Sequence, residues 1–137
     1  MAEGETFKGY LEKLDQIMTY LIELCHDNFS GSVICDSCDI SHYVSPFFFG
    51  IRNGIYDLSH IVEDISTRYE KGQINDDPYT VLAQSFEQYS PHESKLVSEE
   101  GTKSSIEKLS AIKQVFADYI KKKSIPDEKE LSDLLLF

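Results

Sequence analysis

The chain has 137 residues, 41% of them hydrophobic, and a formal net charge of −11 at pH 7. That length suits one domain with a real core, and 7 Gly and 4 Pro are too few for a loop-dominated or disordered chain. An acidic surface repels phosphate backbones and anionic lipid, which argues against direct nucleic-acid or membrane binding and favours basic partners.

The acidity is uneven. Residues 1–100 carry 18 acids against 6 bases, whereas residues 101–137 carry 6 against 7. The opening MAEGETFKGYLEKLD has neither a basic n-region nor an apolar h-region, and no run approaches the roughly 18 apolar residues that would span a bilayer. A soluble, cytoplasmic protein is the expectation.

Helical periodicity runs almost throughout, so the predicted fold is all-α: one domain over residues 1–137, a bundle of four main helices plus a short C-terminal helix. In the first helix, from about Glu5 to Asp27, Phe7, Leu11, Leu14, Met18, Leu21 and Cys25 recur in steps of four and three. Asn28, Ser30 and Gly31 are expected to end it. A connection from Asn28 to Val44 follows, long for two packed helices and in need of something to hold it.

Ser45 and Pro46 suit the start of a second helix, along which Ile51, Ile55, Leu58, Val62, Ile65 and Tyr69 repeat the same spacing until Gly72. A third helix opens at Asp77-Pro78 and presents Tyr79, Leu82, Phe86 and Tyr89 before Pro91. A fourth is predicted from a capping box, Ser104 to Glu107, through Ile106, Leu109, Ile112, Phe116 and Ile120 to Lys121-Lys122-Lys123, where cations suit the helix dipole. Pro126 starts the short last helix, whose Leu131, Leu134 and Leu135 are expected to clasp the open end of the bundle.

The long connection contains CDSCDISH, residues 35–42. Cys35, Cys38 and His42, with Cys25 or His26 at the end of the first helix, supply nitrogen and sulfur ligands suited to a tetrahedral zinc site that would staple the loop. Ordinary thiols are the simpler alternative, since Cys25 also lies on the apolar stripe and a single Cys-x-x-Cys lacks a second pair. A redox dithiol is disfavoured because Asp36 and Asp39 raise the thiol pKa.

The second helix carries an organised face opposite its Ile and Leu stripe. Phe49, Asn53, Tyr56, His60, Glu63 and Thr67 fall at alternating helical spacing, with Arg52 at the margin. A solvent face seldom holds a Phe, a Tyr and a His in register, so this helix is either central, packed on both sides, or half of it meets a partner. His60 with Glu63 is also a candidate acid/base or metal pair one turn apart.

Arg52-Asn53 followed by His60 on one helix of a small all-α protein resembles the HEPN ribonucleases. The resemblance implies RNA cleavage by Arg52 and His60. It covers nine residues, and the seven residues between Arg52 and His60 exceed that family's usual interval, with Asp57 where a shorter motif would place the histidine.

No glycine-rich phosphate loop, nucleophile elbow or His-Glu-x-x-His pair is present in the sequence. The expected function is therefore non-catalytic. It is an acidic helical module that binds another protein or a second copy of itself, as adaptor, inhibitor or regulatory subunit, with Phe49, Arg52, Asn53, Tyr56, His60 and Glu63 as binding residues. A HEPN-like ribonuclease and an acidic nucleic-acid mimic are the alternatives. If Cys25, Cys35, Cys38 and His42 hold zinc, purified protein carries about one equivalent by elemental analysis, and Cys35→Ser loses both metal and thermal stability. Metal-free protein that melts with the mutant identifies ordinary thiols instead.

Overall fold

The computed structural model describes residues 6–32, 46–95, 97 and 103–135. The elements there are α1 (Phe7–Ser32), α2 (Pro46–Glu70), α3 (Pro78–Gln88), a single 3-10 turn (Pro91–Glu93), α4 (Lys103–Lys121) and α5 (Glu128–Leu135). The fold is all-α, with no strand among the described residues.

Helices α1, α3 and α5 each begin for a local reason. Thr6 caps α1: its Oγ1 accepts the Gly9 N–H at 3.0 Å and its carbonyl accepts the Tyr10 N–H at 3.0 Å. Asp77 caps α3 through Oδ2, which accepts from the Thr80 amide at 3.1 Å, and Pro78 takes the first turn, where a missing N–H costs nothing. Asp127 caps α5 by accepting the Glu130 N–H at 2.7 Å. That last helix therefore starts just after Asp127, and Pro126, expected to open it, is buried before the cap.

The ends are as specific. Beyond α2, Gly72 takes φ +71°, its N–H donates to Tyr69 O at 3.1 Å, and the Gln73 N–H donates to Arg68 O at 2.9 Å. This paired closure uses the left-handed conformation that glycine adopts without penalty. Helix α4 closes identically without glycine: Lys123 sits at φ +59°, its N–H donating to Ile120 O and the Ser124 N–H to Tyr119 O, both at 2.9 Å.

Two predicted ends differ. Helix α1 runs to Ser32, carrying Asn28, Ser30 and Gly31 in helical backbone, because residue propensity is a weak brake once a long helix is nucleated. The connection expected from Asn28 is thus helical as far as Ser32, and residues 33–45 lie outside the described residues. Ser104 stands inside α4 rather than at a cap. Its neighbour Ser105 is the interior hydroxyl, fully buried and donating to the Phe47 carbonyl of α2 at 2.9 Å.

The predicted stripes supply most of the core, with Tyr79, Tyr89, Ile106 and Leu134 only half-buried against it. Phe7, Leu11, Leu14, Met18, Leu21 and Cys25 of α1 are buried against Ile51, Ile55, Leu58, Val62 and Ile65 of α2 in a cluster that also takes Leu82, Phe86, Leu109, Ile112, Phe116, Leu131 and Leu135. Helix α2 is central, packing on α1, α3 and α4, while α5 closes on α1 and α4. Tyr69 ends the predicted stripe yet is 40% exposed, because α2 outruns its cover; its ring still meets Phe7 at a centroid distance of 4.8 Å.

Side-chain bonds secure the C-terminal end. The Tyr10 hydroxyl donates to Ser124 O at 2.7 Å, and Tyr119 of α4 donates to Glu130 of α5. The lysines expected to answer the α4 dipole also reach sideways, Lys121 pairing with Glu87 of α3 and Lys123 lying 5.1 Å from the Tyr79 ring centroid.

Helices α2 and α4 approach closely at Gly54, where a Cβ would stand 2.4 Å from both Leu109 Cδ atoms and 2.9 Å from Cγ. Leu109 is fully buried, so making way for a Cβ means repacking the interior. Gly54→Ala is expected to destabilise the fold by about 1–3 kcal/mol through overpacking, read as a lower denaturant midpoint with an unchanged slope.

Candidate functional site

The second face of α2 divides when its residues are placed. Asn53 is buried at 7% exposure and belongs to the interior. Phe49 and Arg52 are half-buried, while Tyr56, His60 and Glu63 are exposed. The Arg52 guanidinium carbon lies 4.8 Å from the Phe49 ring centroid and 5.8 Å from that of Tyr56. Positions 49, 52 and 56 lie three and four apart, so the cation is set beside two rings one turn away on either side.

Arg52 also acts on the neighbouring helix. Burial pushes the Cys25 thiol up from 9.0 to about 12, and the nearby Arg52 charge opposes part of that rise. Cys25 is accordingly a protonated core side chain at neutral pH. Of the residues considered for zinc, Cys35, Cys38 and His42 lie outside the described residues, as does the side chain of His26. Among the described residues no group of three His, Cys, Asp or Glu side chains is placed to hold a metal ion.

His60 stands eight positions beyond Arg52, about 12 Å along the axis at the helical rise per residue. The Arg52 guanidinium lies over the rings of Phe49, which precedes that interval, and Tyr56, which stands midway along it. Glu63, one turn past His60, reaches the groove between α1 and α2.

A polar cluster on the neighbouring side of α2 was hidden from sequence reasoning. Asp57 Oδ2 accepts from the Tyr89 hydroxyl at 2.8 Å and the Ser94 hydroxyl at 2.5 Å. Lys113 of α4 donates to the carbonyls of Glu87 at 2.8 Å and Tyr89 at 2.6 Å, satisfying the end of α3. One carboxylate and one ammonium thus tie the α3 exit, with its Pro91 turn, to α2 and α4. Asp57 is 32 and 37 positions from its donors, and no local spacing signals such pairs. The legible hint is the Tyr-Ser-Pro segment at 89–91, a turn that needs anchoring.

Comparison with known protein families, curated proteins and solved structures finds no match to this chain. Among the described residues no helix is long and apolar enough to cross a membrane.

Burial, and then the hydrogen bond to the Asp57 carboxylate, raise the Tyr89 pKa above its ordinary 10.0. A raised folded-state value means that this stabilisation is whole below pH 10.0 and fades as pH climbs through the higher folded value. Stability of the wild type relative to Tyr89→Phe is therefore expected to decline above pH 10.0 and to be constant below it, as measured by urea unfolding at stepped pH. Asp57→Ala, which strands two partly buried hydroxyls, is expected to cost about 1–3 kcal/mol.

Proposed function

We propose that this chain is a soluble, acidic protein-binding module of the cytoplasm, serving as an adaptor, inhibitor or regulatory subunit. It meets its partner through the Phe49–Arg52–Tyr56 patch of α2, with His60 and Glu63 on the rim. The observation that carries this reading is Tyr56, 41% exposed on the helix against which α1, α3 and α4 are packed, beside an arginine held over its ring.

Tyrosine and arginine are the residue types that concentrate binding energy at interfaces. Here they project from a helix buried along its opposite side, so little freedom remains to be lost on association. The net charge of −11 selects against a second copy of the chain and in favour of a basic partner. The ribonuclease alternative lacks comparable support, since Arg52 is stacked against two aromatic rings about 12 Å from His60 along the axis.

Tyr56→Ala is expected to weaken the complex with the native partner by about 1–3 kcal/mol in titration calorimetry, while helicity and melting temperature stay near those of the wild type. A lowered melting temperature with unchanged affinity marks Tyr56 as a structural residue and defeats the reading. RNA cleavage that disappears in His60→Ala establishes the enzyme instead.

A further inference from the structure

A groove of about 670 Å³ separates α1 from α2 along their exposed side. Its floor is apolar, formed by Leu11 and Val62, which are 5% and 4% exposed. Glu12 and Asp15 rise from α1 on one wall, one helical turn apart, and Glu63 rises from α2 on the other. The cation at the groove's end, Lys8, is drawn to Glu70, at 3.5 Å. Glu12, Asp15 and Glu63 make no ion pair or hydrogen bond with any described residue.

We infer that this groove receives a lysine- or arginine-bearing segment of a partner protein, the alkyl stem lying on Leu11 and Val62 and the cationic head among Glu12, Asp15 and Glu63. The inference rests on the protein-binding reading and names the chemistry of the partner. An apolar floor between acidic walls matches a side chain that is hydrocarbon along its length and charged at its tip. The three carboxylates are spread over two walls, and no metal-holding group exists among the described residues. A phosphate or an anionic lipid is repelled by the same charges.

The groove and the aromatic patch share one face of α2. Tyr56 and Glu63 are seven positions apart on one face of α2, about 10 Å along the axis, a span that roughly three residues of extended chain cover. One partner segment can thus place an apolar side chain against Tyr56 and a cationic one in the groove.

The test uses the full chain, isotopically labelled, and a capped ten-residue peptide of alternating arginine and leucine as probe, with the glutamate-for-arginine peptide as its opposite. The arginine peptide is expected to shift amide signals at residues 8–16 and 59–67. Its affinity is expected to fall about tenfold in the triple variant Glu12→Gln, Asp15→Asn, Glu63→Gln, and by less than about twofold in the equally neutralised Glu107→Gln, Asp118→Asn, Asp133→Asn. The glutamate peptide leaves the spectrum unchanged. Equal losses in the two triple variants, shifts centred elsewhere, or no binding by the arginine peptide overturn the inference. Circular dichroism of the groove variant is expected to match the wild type, and a misfolded triple is replaced by Glu63→Gln alone, expected to lose about threefold. With the native partner, weakening by the groove variant but not by Tyr56→Ala removes the patch and keeps the groove, whereas the reverse removes the groove alone.

Discussion

The molecule depends on α2 being covered along two sides. One side is the apolar stripe from Ile51 to Ile65, which α1 buries; another is the glycine notch at Gly54, into which Leu109 of α4 fits with no space left for a methyl group. Each apolar side chain so enclosed contributes about 1.5–3 kcal/mol, and such terms together offset the entropy of ordering the chain. A central helix fixed from two directions cannot slide or rotate without emptying one of these contacts. What projects from its remaining surface is therefore held in a constant place.

Polar bonds position what the hydrophobic contacts leave loose. Asp57 collects the Tyr89 and Ser94 hydroxyls, Lys113 collects the last carbonyls of α3, Ser105 reaches Phe47, and Tyr10 reaches the backbone beyond α4. These bonds join parts of the chain that are distant in sequence, and most sit where a helix ends. Their energies are modest singly, but a buried partner left unmatched costs more than the bond supplies, so they select one arrangement among several of similar apolar burial.

On that frame the exposed features fall into two adjoining parts, an aromatic and guanidinium patch at Phe49, Arg52 and Tyr56 and an acidic, apolar-floored groove at Leu11, Val62 and Glu63. Both draw on α2. The excess of carboxylates in residues 1–100 has a local meaning here, because part of it lines a concavity and leaves its charge unneutralised by described groups. On the proposed binding reading, charge would set approach and orientation and the aromatic contact would supply the holding energy.

The sequence by itself determined the helical class, the buried stripes of α1, α2 and α4, the glycine stop at Gly72 and the Asp77-Pro78 start, because periodicity and capping are properties of neighbours within a turn or two. It also marked α2 as a helix with two organised faces. It misplaced the end of α1 and the cap of α4, where the deciding residues Gly31 and Ser104 carry only small local preferences. Only the tertiary structure decided that Asn53 turns inward while Tyr56 stays out, and that Arg52 stacks on two rings. It likewise made Asp57 a hub rather than a blank in a motif, and formed the groove from two helices about fifty residues apart. Those outcomes depend on which neighbour covers which side of α2, and helical spacing records that a face exists without recording what lies against it.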